Sequence, residues 1–287
     1  MGDILVGTCS WTDPALVRSG WFPTGQRDAE GRLRYYAGRF PVVEADASYY
    51  ALPQERVSRL WVERTPDGFT FDVKAFSLLT GHPTRESVMP NGLPADTKDR
   101  GVLDEVWSLF AAGVEPLRRA GRLGSVLFQF PPWLRPGDRA ERILAQTARR
   151  TRDWPVSVEF RHPDWWRSDR DAASTRALLA EYGMAAVAVD MAQGLPSSLP
   201  PVTPVSTSRL AVVRFHGRST SWGRGTKEDR FRYTYSEDEL TAWIPRLREL
   251  AERVERVHVL FNNCCGRASV GAAEQMDRLL HADRSRT

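Results

Sequence analysis

The chain has 287 residues, 41% of them hydrophobic, and a net charge of +4. That length suits one α/β barrel or two small domains and exceeds a small sandwich. Glycine and proline together give 40 residues, about 14%, well under the roughly 25–30% of low-complexity disordered chains, and no apolar run approaches the ~20 residues of a membrane span.

The N-terminus, Met1 to Gly7, carries no basic region ahead of an apolar stretch, so no signal peptide is expected. Three cysteines, Cys9, Cys264 and Cys265, are too few for a disulfide scaffold, and a cytoplasmic setting is the expectation. Eight apolar runs then read as strands: Ile4–Cys9, Val42–Ser48, Phe69–Phe76, Ser125–Phe130, Pro155–Phe160, Ala185–Asp190, Leu210–His216 and Val257–Asn262. They lack a polar face, as strands covered on both sides should. Between them lie helix candidates at Gln54–Arg64, Asp104–Ala120, Asp138–Thr151, Asp171–Tyr182, Glu237–Glu252 and Ala268–Leu280. Asp104 and Asp138 read as N-caps, and Gly121 and Gly183 as stops. This order predicts one (β/α)8 TIM-type barrel spanning 1–287, with its core at about 4–281. A doubly wound open sheet ranks second, because no GxGxxG follows the first strand. Three long connections, 12–34, 77–103 and 217–235, exceed what a barrel requires, and long loops often carry function.

Strand C-termini carry catalytic groups in barrels. Here strand two ends Glu44-x-Asp46-x-Ser48, strand three Asp72-x-Lys74, and strand four carries Gln129. Strand five reads Ser157-x-Glu159-x-Arg161 followed by His162, strand six ends in Asp190, strand seven reads Arg214-x-His216, and strand eight ends Asn262-Asn263. A satisfied polar network explains any one such end; it explains seven poorly.

These blocks carry a resemblance. Gly7-Thr8-Cys9-Ser10-Trp11, Val43-Glu44-x-Asp46-x-Ser48-x-Tyr50 and Phe71-x-Val73-Lys74 are similar to the YecE-like family, domain of unknown function 72. Gln129-Phe130-Pro131-Pro132, Val158 to His162, Arg214 to Arg218 and Phe261-Asn262-Asn263 match its later blocks in order. The resemblance implies a TIM-type barrel and no established reaction. Asp46 stands where the family usually has Asn, and Cys264-Cys265 where a His-type residue is common.

From the residues themselves, Glu44, Lys74, Glu159 and His216 are the candidate catalytic groups. Two carboxylates across a barrel mouth can divide into acid and base, which also leaves glycoside hydrolysis by Glu44 and Glu159 open. Of 40 basic residues only Lys74, Lys98 and Lys227 are lysine, and arginine cannot replace lysine in proton-transfer or amine chemistry. A buried ion pair of Lys74 with Asp72 or Glu44 is the structural alternative. Arg161, Arg214 and Arg218 suit bidentate binding of phosphate or carboxylate. Asp46, Tyr50, Gln129, His162, Asp190, Asn262, Asn263 and Trp11 complete the expected substrate-binding set. Trp21, Trp133, Trp165 and Trp166 are candidate cleft walls or caps. Loop 217–235 interleaves Arg218, Arg224, Lys227, Arg230 and Arg232 with Trp222, Phe231, Tyr233 and Tyr235, a pattern that suits stacking on bases or sugars. With five histidines and no HExxH or CxxC, a metal is possible but not favoured, and the cofactor stays unknown. Cys9 can lie near Cys264 or Cys265 if strands one and eight adjoin, with apolar packing as its plainer role. The expected function is an enzyme acting by acid/base chemistry on a small anionic, phosphate-bearing substrate. A nucleic-acid or small-anion binding module is the alternative; oligomeric state stays open.

Overall fold

The computed structural model describes residues 1–96, 98–221, 226, 229, 231–263 and 266–284. Eight parallel strands close a barrel in sequence order: β1 Asp3–Thr8, β2 Val42–Ala45, β3 Thr70–Lys74, β4 Leu123–Phe130, β5 Val156–Phe160, β6 Ala185–Asp190, β7 Leu210–Phe215 and β8 Arg256–Phe261. β1 closes onto β8 over six residue pairs, from Asp3–Arg256 to Thr8–Phe261. At the β1–β2 seam Gly7 is required by space, since a Cβ there would lie 2.0 Å from the Val42 carbonyl oxygen.

The apolar strands are buried on both faces because helices cover the outside. Those helices are α1 Pro14–Arg18, α2 Ala29–Ala37, α3 Glu55–Glu63, α4 Arg100–Arg119, α5 Asp138–Arg150, α6 Asp169–Glu181, α7 Glu237–Thr241, α8 Ile244–Arg253 and α9 Ala268–Arg284. Val43, Phe71, Phe128, Phe160 and Phe215 pack into the layer between sheet and helices.

Several boundaries differ from the sequence expectation. The expected loop 12–34 contains α1 and the start of α2. Asp13 caps the first from a position just before Pro14, and Asp28 caps the second. α4 begins at Arg100, capped by Asp99 rather than Asp104, and Ser168 caps α6. Asp138 is the first residue of α5, not its cap. The expected helix 237–252 breaks into α7 and α8, with Pro245 in the first turn of α8, where it cannot serve as helix interior. β2 stops at Ala45, because Asp46–Tyr49 turns into a 3₁₀ helix. The Ser48 hydroxyl lies 2.6 Å from the carbonyl oxygens of both Ala45 and Lys74, tying that turn to the end of β3. Among the described residues no helix is long and apolar enough to cross a membrane.

Candidate functional site

The centre of the site is Arg214, near the C-terminal end of β7 and 1% exposed. Its Nε donates to Glu44 Oε2 at 2.9 Å and its NH2 to Glu44 Oε1 at 2.7 Å. NH1 donates to Glu159 Oε2 at 2.5 Å, and NH2 also reaches Cys9 Sγ at 3.6 Å. One guanidinium therefore bridges carboxylates from β2 and β5 in the barrel interior. Each carboxylate is fully buried, and pairing with the fork is what makes that burial tolerable.

From Glu159 a hydrogen-bonded chain runs both ways around the barrel. Gln129 Nε2 donates to Glu159 Oε1 at 2.8 Å, and Lys74 Nζ donates to Gln129 Oε1 at 3.0 Å. On the other side His216 Nε2 lies 3.1 Å from Glu159 Oε1, and Asn262 Nδ2 lies 2.8 Å from His216 Nδ1. With Asn262 donating, His216 Nδ1 is the acceptor and Nε2–H points at the carboxylate. Arg161 NH1 adds a further donor to Glu159 Oε1 at 3.1 Å. Lys74, Gln129, Glu159, His216 and Asn262 thus join three strands, β3, β4 and β5, and the residues that follow β7 and β8.

The electrostatics follow. Burial pushes Glu159 up, and Arg214, His216 and Arg161 outweigh it, holding the carboxyl well below the usual carboxylate range. Burial lowers His216 to about 4, with Arg214 and Arg161 adding to the effect against Glu159, so the ring is neutral at pH 7. Burial and then the Arg214 charge lower Lys74, against Glu44, Glu159 and Asp46. Burial and the Glu44 carboxylate push the Cys9 thiol up, so it is a packed thiol and no thiolate nucleophile.

Lys74 leads outward along an aromatic path. Its Nζ sits 4.4 Å from the Tyr49 ring centroid. Tyr49 packs edge-on to Tyr50 and to His82, and His82 packs edge-on to Trp133. Tyr50 and Trp133 are 50% and 54% exposed, so aromatic surface is presented at the rim. Burial and the Lys74 charge lower His82 to about 4.

A second cluster surrounds Asp190 at the end of β6. It accepts from Arg218 Nε and NH2, from Tyr235 Oη at 2.7 Å and from Trp243 Nε1 at 2.8 Å. Arg218 NH1 also reaches Glu239 at 3.1 Å. Gly217 carries φ +88° and donates its N–H to Tyr235 Oη, which turns the chain sharply out of β7. Beside this cluster lies a cavity of about 490 Å³ lined by Asp190, Gln193, Arg218, Trp243 and Arg246 among others.

Not every expected residue joins the site. His162 accepts from the Asp164 N–H at 3.1 Å and caps the 3₁₀ turn Pro163–Trp165. Trp11 is buried and packs edge-on to Trp61 and Phe71 in the sheet–helix layer. Trp21, Trp165 and Trp166 are likewise core residues, leaving Trp133 as the exposed wall. Asn263 donates to the Tyr233 carbonyl and holds the loop after β7. Asp46, half-buried beyond β2, contributes its field to Lys74 and Cys9. The ion pair of Lys74 with Asp72 or Glu44, the structural alternative for that residue, is absent: Asp72 binds His258 Nδ1 at 2.9 Å, and Glu44 binds Arg214. Trp222, Arg224, Lys227, Arg230, Cys264 and Cys265 lie outside the described residues. Among the described residues no group of three or more His, Cys, Asp or Glu side chains is placed to hold a metal ion.

The strand-end pattern does not point to Tyr49, Trp243, Glu239, Arg246 or His258. The first four sit on turns and helices beyond the strands, and His258 sits inside β8, below the end that the pattern inspects.

Fold and site together define a closed (β/α)8 barrel with a buried charge network at its strand C-termini. The family described as "Protein of unknown function DUF72" matches residues 5–287, and the chain belongs to that family. It is 31% identical over 288 residues to the UPF0759 protein YunF of Bacillus subtilis, covering 98% of this chain and 96% of that protein. It is 25% identical over 190 residues to the UPF0759 protein YecE of Escherichia coli K12, covering 65% of this chain and 59% of that protein. Crystal structures of DUF72 family proteins share the fold. The one from Enterococcus faecalis has a TM-score of 0.79 at 22% identity, covering 98% of each chain. The one from Thermotoga maritima has a TM-score of 0.76 at 27% identity, covering 97% of this chain and 99% of that one.

Proposed function

We propose that this protein is an enzyme that moves a proton on a small anionic substrate at the C-terminal end of the barrel, with Lys74 as the group that meets it. One observation carries the reading. Arg161, Arg214 and Arg218 are each engaged by carboxylates, whereas Lys74, among the described residues, has no carboxylate within 4 Å. Its charge is answered by an amide oxygen and an aromatic face. An ammonium whose proton is loosened by burial is suited to give that proton up and take it back.

The other candidates then become positioning residues. Glu159, held ionised and bonded by Gln129, orients the amide that holds Lys74. His216 has both ring nitrogens engaged and fixes Glu159 from the far side. Glu44 shares Arg214 with Glu159. Arg218 and Arg246 border the cavity beside Asp190, where a phosphate or carboxylate tail of the substrate would find donors. A glycosidase pair needs one protonated carboxyl; the guanidinium between Glu44 and Glu159 and the depressed Glu159 speak against that reading. Binding without turnover, of a nucleotide or another ring-bearing anion, is favoured by the exposed faces of Tyr50 and Trp133.

The test uses the scarcity of lysine. Trace acetylation across pH, followed by peptide mass spectrometry, reports Lys74 and Lys98 separately. Lys74 is expected to reach half-maximal labelling at lower pH than Lys98. In a panel of phosphate esters, one that is turned over should also protect Lys74. Protection without turnover selects the binding reading. Equal titration of the two lysines, with no compound protecting, overturns both.

A further inference from the structure

The opposite end of the barrel holds a second polar feature, independent of the site above. A cavity of about 690 Å³ opens at the strand N-termini, where Leu123, Val156, Leu210 and Arg256 begin β4, β5, β7 and β8. That volume lies within the usual range of small-molecule sites. His258 lines it from β8, one layer deeper in the barrel than Arg214.

His258 is fully buried, and its Nδ1 is paired with Asp72 at 2.9 Å. Its Nε2 is a buried nitrogen with no hydrogen-bond partner among the described residues. A buried polar atom left so is unfavourable, and it is retained where something else serves it. Asp72 fixes the tautomer: Nδ1–H donates to the carboxylate, so the neutral ring presents a bare Nε2 acceptor. Gly124, also on the lining, lets the ring lie against β4, because a Cβ there would stand 2.7 Å from His258 Cε1.

The rim is cationic. Arg152, Arg209 and Arg256 line the cavity, are exposed, and among the described residues have no carboxylate within 4 Å. Arg118 also lines it but is engaged by Glu115 at 2.7 and 2.8 Å. Asp153 and Glu255 supply two negative charges to the same rim. An unsatisfied acceptor at the floor and unpaired guanidinium forks at the rim ask for a ligand with complementary ends.

We propose that this N-terminal cavity is a second ligand site, for a small hydroxylated phosphate. The phosphate meets the forks of Arg209, Arg256 and Arg152, and a ligand hydroxyl donates to His258 Nε2. Chemistry in TIM barrels belongs to the other face, so this site binds and does not turn over.

The experiment is proton–carbon NMR of the five histidine Cε1–H groups, assigned by single substitutions and titrated with glycerol 3-phosphate and with inorganic phosphate. Glycerol 3-phosphate is expected to shift the His258 resonance saturably and to bind at least about tenfold more tightly than inorganic phosphate, one good hydrogen bond being worth roughly 1.4 kcal/mol. Arg209→Ala with Arg256→Ala, both exposed, should weaken that binding tenfold or more without lowering the thermal midpoint of the free protein. His258→Gln should abolish the preference for the hydroxylated compound. A His258 signal unmoved by tens of millimolar of either compound means water alone serves Nε2, and overturns the proposal. Unchanged affinity in the double arginine variant overturns it equally. A shift confined to His216 reports the other mouth and counts against this one.

Discussion

Arg214 on β7 reaches across the barrel interior to Glu44 on β2, and the two share hydrogen bonds of 2.7 and 2.9 Å. The residues are 170 positions apart in sequence, and neither is exposed by more than 1%. Glu159 takes the third arm of the same guanidinium at 2.5 Å. Three buried charges, two carboxylates and the guanidinium between them, are thus held as a set, and the set fixes β2, β5 and β7 relative to one another.

Removing Arg214 should therefore cost stability before it costs anything else. Arg214→Met leaves the buried Glu44 without its ion-pair partner and Glu159 with Arg161 as its remaining guanidinium, a loss of about 3–5 kcal/mol. The thermal midpoint should fall by at least about 6 °C. Arg214→Lys should recover only part, since an ammonium cannot fork to two carboxylates. Glu44→Gln placed in the Arg214→Met background should restore stability relative to Arg214→Met alone. Scanning calorimetry of the four proteins checks this; a midpoint for Arg214→Met equal to wild type refutes the structural role.

The strands are legible in sequence because burial on both faces leaves long runs such as Val156–Phe160 without a polar face. The parity of Glu44, Lys74, Gln129, Glu159 and Arg214 is legible too, since side chains alternate along a strand. Partners are not. Nothing local tells that Arg214 serves Glu44 rather than an external anion, or that Asp72 turns to His258 rather than to Lys74. These pairings depend on barrel closure. α1 escapes a sequence reading because five residues give no helical period, only the Asp13 cap and Pro14. Whether Trp11 and Trp165 face a cleft or the core is not legible, because an aromatic after a strand can turn either way; here Trp165 takes the capping alternative and stacks on Phe160 with centroids 3.7 Å apart.

The pH dependence has a definite sign. Burial lowers His216 from 6.5 to about 4. Between those values the unfolded chain binds a proton at this position that the folded chain does not, so stability rises with pH across the window. The contribution is fully present above about pH 6.5 and is lost as pH falls toward 4, spanning at most about 3 kcal/mol. His82, lowered to about 4, has the same sign, and its partial exposure makes its share smaller. Urea unfolding at pH 7, 5.5 and 4.5 should show a falling midpoint, with a shallower fall in His216→Gln. An identical slope in that variant would move the effect elsewhere.

Asp190 should be the second most sensitive carboxylate. It is buried and holds Arg218, Tyr235 and Trp243 together. Asp190→Asn removes the charge that Arg218 pairs with and puts an amide N–H₂ against donors that used both carboxylate oxygens, at a cost of about 3 kcal/mol. Tyr235→Phe removes one charge-assisted bond and should cost about 1.5–3 kcal/mol. Equilibrium denaturation ranks them, with Trp243 fluorescence shifting in both. A larger loss in Tyr235→Phe than in Asp190→Asn would make the tyrosine hydroxyl, and not the carboxylate charge, the keystone of the cluster.

Lys74 should be needed as lysine. In Lys74→Arg the charge survives, yet a guanidinium stays protonated at every working pH and cannot pass its proton on. The position is one where the charged form is already disfavoured by burial and by Arg214, so a permanent cation there loosens the Gln129 contact as well. Lys74→Met fills the volume without the charge and relieves the repulsion with Arg214. The expected result is that both variants fold, with midpoints within a few degrees of wild type, and that both lose turnover of any ester found to protect the wild-type lysine. If Lys74→Arg keeps turnover, the position supplies charge alone and the acid/base role passes to another group. If both variants collapse in stability, Lys74 is instead a structural member of the Gln129–Glu159 network, and the chemistry must be sought beside Asp190.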